Sequence, residues 1–290
     1  MMTLIRVASS ITATVAVALV LAPNAWAQRD FSTVEIRAHH VSGSVYYLEG
    51  AGGNIVLSSG DDGVVMIDDQ FAPLTDKIIA AIGELNDGDI RFVINTHIHP
   101  DHTGGNENLG RMGIDILARD AVRERLMETL PELALPILTY SDAITLHLNG
   151  EEAYAFPVAP AHTDGDSYIY FRDSNVLAAG DVFRTTGYPY IDRSNGGTLD
   201  GTIDALGAAI GIAGPETRIV PGHGAVSNRE DVIEFRDMIL VVKGRVTEMI
   251  ERGLSYAQVA AANPTRTWDD KWGDPERFLI AVYEELTDAN

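Results

Sequence analysis

His97, His99 and His102, with Asp101 beside the last, fall within six consecutive positions of this chain. The 290 residues contain only 8 histidines, so three this close together form a cluster, not a scatter. Neutral imidazole and carboxylate are the ligand types that Zn²⁺ prefers. In an extended loop the side chains of i and i+2 share a face, so His97 and His99 can reach one ion. Asp101 and His102 lie past the turn at Pro100 and point elsewhere, which predicts a second ion. The competing reading, a polar loop with surface histidines, leaves that spacing unexplained.

Three later residues stand in a common context. His162 follows the strand-like segment 153–158, Asp181 ends the apolar run 176–180, and His223 follows the apolar residues 218–220. Each sits at a strand end beside glycine or proline, where a side chain projects. Singly, they read as a structural histidine or a capping aspartate. Together they supply what a catalytic two-metal centre needs: about three protein ligands per ion, a shared group and an open position for water. Asp166, Asp68 and Asp69 are candidates either for fixing imidazole tautomers or for capping turns. His39, His40 and His147 lack such a context and read as structural or surface residues.

These residues resemble the metallo-β-lactamase-fold hydrolases. His97, His99, Asp101 and His102 stand as the HxHxDH motif of that family, and His162, Asp181 and His223 as its later ligands in the usual order. The segment Val64–Asp68 is similar to the family's early strand ending in aspartate. The likeness covers about residues 40–235. It implies two zinc ions per chain: one held by His97, His99 and His162, the other by Asp101, His102 and His223, with the Asp181 carboxylate bridging. It also implies a water lowered to a pKa of about 7, whose hydroxide attacks a carbonyl while Asp101 both binds metal and orients the attack.

The elements that must position these residues alternate in type. Short strands run from about residue 44 to 68, helical periodicity covers 74–85, and strand 91–95 delivers the histidine cluster. The stretch 103–106 looks like a helix entry, its glycines allowing close backbone approach. A second set of strands lies between about 143 and 178, followed by an amphipathic segment 199–212 and the strand before His223. Residues 228–252 read as a long helix and 255–288 as a helical tail, in which Trp268 and Trp272 are packing anchors. Two similar strand–helix halves fit an α/β fold: a four-layer αββα sandwich with ligands on loops along one edge.

Residues 1–27 read as a signal peptide, with Arg6, an apolar stretch 7–22, and Ala25-Trp26-Ala27 as a small-x-small cleavage site. The apolar run is short of the roughly 20 residues a spanning helix needs, and Pro23 interrupts its end. Cleavage leaves no stable membrane anchor and an exported protein, periplasmic or secreted. Residues 28–290 then form a single domain with a helical tail from about 240 to 290. The chain has no cysteine, hence no disulfide and no thiolate ligand. A formal net charge of −21 repels phosphate backbones, which excludes nucleic acid as a partner and leaves a small-molecule substrate. The acidity reads as a solvated coat and sets no oligomeric state.

For an exported enzyme of this kind the first expectation is hydrolysis of a β-lactam or a related cyclic amide or ester. Asp181 departs from the zinc β-lactamases, which lack a bridging aspartate, and resembles the glyoxalase-II and lactonase branches. A lactonase or (thio)esterase is therefore the alternative, although no basic cluster in the sequence suits an anionic glutathione thioester. From another class, an iron-containing oxidoreductase of the same fold usually carries glutamate where this chain has His99. A non-catalytic metal-binding protein is the last option, against which all seven ligand positions are filled. Gly187–Tyr190 and Gly196–Thr198 are candidates for lining the pocket or simply for packing loops.

Overall fold

Val64 and Met66 face one side of their strand and Val65 and Ile67 the other, yet all four are buried. A strand apolar on both faces must be covered on both. The computed structural model, which describes residues 30–288, covers it with helices on one side and a second sheet on the other. The expected leader, residues 1–27, lies outside the described residues. No helix among the described residues is long and apolar enough to cross a membrane.

The first sheet has seven strands in chain order: β1 (Arg37–Ser42), β2 (Val45–Glu49), β3 (Ile55–Gly60), β4 (Gly63–Ile67), β5 (Ile90–Asn95), β6 (Asp115–Arg119) and β7 (Leu138–Tyr140). β1 to β4 form an antiparallel meander, and β4 to β7 pair in parallel. Parallel pairing requires crossovers, supplied by α1 (Thr75–Leu85), α2 (Pro100–Thr103), α3 (Asn106–Arg111) and α4 (Asp120–Leu126). The second sheet contains β8 (Ile144–Leu148), β9 (Glu151–Pro157), β10 (Ser167–Phe171), β11 (Val176–Ala178) and β12 (Arg218–Val220), in the order β12-β11-β10-β9-β8. Only β11 and β12 pair in parallel there, across α5 (Leu199–Ile212). The chain ends with α6 (Arg229–Glu251), α7 (Tyr256–Ala262), α8 (Asp269–Trp272) and α9 (Glu276–Asp288).

Three apolar layers hold this four-layer αββα sandwich together. Val65, Ile67 and Ile94 of the first sheet meet Ile169, Phe171 and Val220 of the second. Met66, Val93 and Ile116 face outward onto Leu74, Ile78 and Ile82 at α1. Tyr168, Leu177 and Ile219 face the opposite way onto Leu206, Phe235 and Ile239 of α5 and α6. Trp272 is buried edge-on against Phe235, with centroids 5.1 Å apart, so it does act as a packing anchor.

The expected helices 199–212 and 228–252 stand as α5 and as α6 with its caps, where Asn228 accepts from Asp231 N. The entry expected at 103–106 starts earlier. Pro100 occupies the first turn of α2 after an extended His99, so Asp101 and His102 are already helical and α3 begins separately at Asn106. Proline suits that first turn because the N–H it lacks would have no helical partner there. β1, β6 and β7 were not expected from the pattern; β6 and β7 are short, and their pairing comes from the neighbouring strand.

The topology brings the C-terminal ends of β4, β5, β9, β11 and β12 to one edge. Asn54 secures the two sheets there, donating from Nδ2 to Pro221 O at 2.9 Å and Gly224 O at 2.8 Å.

Candidate metal centre

Asp68, immediately after β4, adopts a left-handed backbone conformation with φ 62°, which costs a non-glycine residue of order 1 kcal/mol. Its carboxylate compensates: Oδ1 accepts from Thr96 N at 2.7 Å, and Oδ2 accepts from Thr96 Oγ1 and from His102 Nδ1, each at 2.7 Å. His102 therefore carries its proton on Nδ1 and presents Nε2 inward. With its proton given to Asp68, the Thr96 hydroxyl accepts from His97 Nδ1 at 2.9 Å. His162 Nδ1 donates to Tyr190 O at 2.6 Å, and His99 Nε2 donates to Asp192 Oδ2 at 2.8 Å. In four rings the outer nitrogen is engaged as a donor, which makes the inner nitrogen the one that can offer a lone pair to a metal.

Those inner atoms converge. His97, His99 and His162 form one group, and Asp101, His102 and His223 another, each with its ligand atoms within 4.8 Å of one another. Asp181, on the turn after β11, lies between them: Oδ1 is 3.2 Å from His102 Nε2, and Oδ2 is 3.3 Å from His223 Nε2 and 3.8 Å from His162 Nε2. Asp101 Oδ2 stands 3.3 Å from His223 Nε2. A third grouping of Asp68, His97 and His102 shares the same space, but both Asp68 oxygens are taken by Thr96 and His102, so Asp68 orients and does not ligate.

The donor set fits a metal. His97 Nε2, His102 Nε2 and Asp181 Oδ1 are buried without a hydrogen-bond partner, an arrangement native proteins avoid unless a further group completes it. His99 Nδ1 and His162 Nε2, both lone pairs, face each other at 2.7 Å and call for a shared cation. Close backbone approach is part of the design. A Cβ on Gly222 would lie 2.0 Å from Asp181 Oδ1, and one on Gly53 2.2 Å from the His102 ring.

Electrostatics divide the cluster. Burial lowers His102 and His223, but Asp181, with Asp68 at His102 and Asp101 at His223, overcomes it and holds both rings above the usual imidazole value. A cation bound there displaces a proton. Burial, reinforced by the His102, His162 and His99 rings, holds His97 well below its usual value. Burial likewise lowers His162 to about 4, so both rings are neutral near pH 7. Burial pushes the Asp181 carboxyl up, but the charges of His102 and His223 overcome it and hold it well below the carboxylate range. Burial opposes ionisation of Asp101 as well, yet the His223 hydrogen bond and the His102 charge bring it to about 2.

All seven residues expected from the sequence thus meet at one edge. Of the proposed tautomer-fixing aspartates only Asp68 touches a ring. Asp166 caps its own turn, accepting from His162 N, Thr163 N and Thr163 Oγ1, and Asp69 accepts from Gly105 N. Thr96, Asp192 and the Tyr190 carbonyl went unrecognised in the sequence; Thr96 adjoins the motif, whereas no spacing signal marks the other two. Tyr190 does reach the site, its ring stacked on His99 at 5.8 Å. Gly196 and Gly197 pack against Asp164 and the His162 carbonyl, which makes them loop-packing residues. His39 stacks on Tyr47, and His40 bonds the Gly43 carbonyl, away from the cluster.

The sequence profile of the metallo-beta-lactamase superfamily matches residues 38–223. The chain belongs to that superfamily of metallo-hydrolases. Among solved structures it is similar to a metallo-beta-lactamase from Pontibacter korlensis, at a TM-score of 0.63 and 16% identity over 71% of this chain and 99% of that one. The DIM-1 metallo-beta-lactamase gives a TM-score of 0.62 at 17% identity, over 71% of this chain and 98% of its own. The stereoselective inverting sec-alkylsulfatase Pisa1 from Pseudomonas sp. gives 0.72 at 17% identity, over 86% of this chain but 50% of that one. At such identities the likeness is one of fold.

Proposed function

We propose that this protein is an exported di-zinc hydrolase that opens a β-lactam or a related cyclic amide or ester. The observation that carries the two-metal hydrolase part of the reading, though not the choice of a β-lactam, is the placement of Asp181 between the two ligand groups, with the unpartnered nitrogens of His97 and His102 turned toward the same space. His97, His99 and His162 would hold one ion, Asp101, His102 and His223 the other, and Asp181 both. Bound there, the metals supply Lewis acidity and lower the pKa of water.

The chain's own residues do the rest. Asp68, Thr96, Asp192 and the Tyr190 carbonyl engage the outer ring nitrogens and aim the inner ones at the metals. The Asp101 side chain is 18% exposed against 6% for Asp181. Asp101 is therefore the carboxylate in the cluster that incoming water can meet. It orients that water, receives its proton and returns one to the departing nitrogen or oxygen. Asp181 stays shielded and balances charge.

A second reading, a lactonase or (thio)esterase, is favoured by the same Asp181 placement, given that a bridging aspartate marks those branches. Elemental analysis and a substrate panel on the leaderless protein test both. Two zinc ions per chain and turnover of a chromogenic β-lactam are expected; turnover of a lactone or thioester alone selects the second reading. A sec-alkyl sulfate belongs in the panel because of the sulfatase neighbour. One iron and little zinc, or no turnover of any ester or amide, would overturn the proposal.

A further inference from the structure

Helix α4 carries no ligand, yet it reaches two of the loops that shape the site of His97, His99 and His162. Its Val122 is buried against the turn after β9, where a Cβ on Gly165 would lie 2.8 Å from Val122 Cγ2. Arg125, three residues on, shares that helix face. Its Nε donates to Asp164 Oδ1 at 2.7 Å and its Nη2 to Asp164 Oδ2 at 2.5 Å. The remaining guanidinium nitrogen, Nη1, donates to Asn195 Oδ1 at 3.2 Å. Asp164 follows His162 by two residues, and its N–H donates to Asn195 O at 3.0 Å. One guanidinium thus ties the His162 turn to the loop that bears Asp192.

The bonds continue from Asn195 to a ligand. Asn195 Nδ2 donates to Asp192 Oδ2 at 2.7 Å, and the same oxygen accepts from His99 Nε2 at 2.8 Å. A guanidinium only donates, and an ionised carboxylate only accepts. An amide placed between them has a single satisfied orientation, with its oxygen toward Arg125 and its nitrogen toward Asp192. Turned over, it would set its NH2 group against the guanidinium and its oxygen against the carboxylate. The neighbouring Arg193 ties the same loop to Glu284 and Asp288 of α9, but those partners are exposed, and exposed pairs contribute little. The Arg125–Asp164 pair is half-buried and forked, the geometry that fixes a guanidinium in place.

We propose that Arg125 is a positioning residue of the metal centre: it locks the Asn195 amide so that its NH2 group holds Asp192 against His99, and thereby sets the site of the ion bound by His97, His99 and His162. Asp164 serves the arrangement by holding the guanidinium still. The inference rests on the two-metal part of the proposed function. It assigns the tuning of one ion to a helix without ligands and leaves the ion of Asp101, His102 and His223 outside that control.

The test is zinc binding by the full-length mature protein, read by competition with a chelator of known affinity, with a melting temperature taken for each variant. Arg125→Ala is expected to weaken, by about tenfold, the same ion that Asp192→Asn weakens, which is the lower end of the range for losing an outer partner of a ligand. The other ion should keep its affinity. Asn195→Ala leaves the Arg125–Asp164 pair in place and should reproduce the loss. Arg125→Lys keeps a charge beside Asp164 but lacks the fork that reaches two partners, so it should restore the melting temperature more fully than the affinity. Because Arg125 acts through Asp192, the variant carrying both Arg125→Ala and Asp192→Asn should bind little worse than Asp192→Asn alone. Arg193→Ala, on the same loop, should leave both affinities unchanged. Additive losses in the double variant, equal weakening of both ions, or an indifferent Asn195→Ala would overturn the positioning role while two zinc ions in the wild type left the hydrolase reading standing. A wild type that takes up no zinc would overturn that reading and the positioning role with it.

Discussion

Asp192 Oδ2 accepts the His99 Nε2 proton at 2.8 Å, joining residues 93 apart in sequence. That bond leaves His99 Nδ1 as the atom facing His162 Nε2. Asp192 is itself held by Ser194 Oγ, Asn195 N and Asn195 Nδ2, so the loop 192–195 sets the orientation of the ring. Burial pushes the Asp192 carboxyl up, but its bonds to His99, Ser194 and Asn195 reverse the shift and keep it ionised.

Asp192→Asn is therefore expected to weaken the ion held by His97, His99 and His162 by about tenfold to a hundredfold, the usual scale for losing an outer carboxylate partner. Competition with a chelator of known affinity measures this, with the second ion as the internal comparison. An unchanged affinity at the first ion would leave Asp192 a loop residue only.

Asp181→Ala should weaken both ions together, since Asp181 is, among the described residues, the carboxylate that reaches within 4 Å of all three of His102, His223 and His162, and its loss leaves two cations to repel each other. His97→Ala and His223→Ala should each deplete mainly one ion. Zinc counted after gel filtration distinguishes the patterns. A full complement of metal in Asp181→Ala would mean that the carboxylate is not shared.

Asp101→Asn keeps the shape and a coordinating oxygen but loses the anion. Its kcat should fall by about a hundredfold or more, the scale of lost acid–base assistance, with kcat/KM falling in parallel. Steady-state kinetics on a zinc-loaded variant read this. A normal kcat with a raised KM would make Asp101 a substrate contact, and Asp181 would be the next candidate for orienting water.

Asp166 supplies a pH prediction for the metal-free protein. Burial raises its carboxyl to about 7, against the lowering bonds from Thr163 and His162. An unfolded aspartate titrates near 3.9. With the folded value the higher one, the contribution is complete below about pH 4 and is lost as pH rises through 7. His97 and His162, whose values are lowered, act oppositely in part of that range, so wild type must be compared with Asp166→Asn. The stability advantage of wild type over the variant should shrink from pH 4 to pH 7 by up to about 4 kcal/mol. Denaturant melts at several pH values check it, and an advantage that grows with pH would refute the buried, readily protonated state.

The sequence alone marked the seven residues that cluster at the site, and the architecture. His97, His99, Asp101 and His102 lie in one short segment, whose contacts follow from local geometry. The recurring context of His162, Asp181 and His223 at strand ends is a pattern that side-chain alternation and glycine placement write directly into the chain. Helices α5 and α6 were legible because apolar periodicity and an N-cap such as Asn228 act within a few residues. What the tertiary structure decided was partnership between loops. It chose Asp68 over Asp69 and Asp166 as the partner of a ligating ring, because only the left-handed turn after β4 points that carboxylate at His102. It placed Asp192 on His99, and it brought Arg125 of α4 to Asn195 beside them. Such pairs depend on where separate strand ends and helices cross once the sheets have packed, and spacing along the chain carries no record of those crossings.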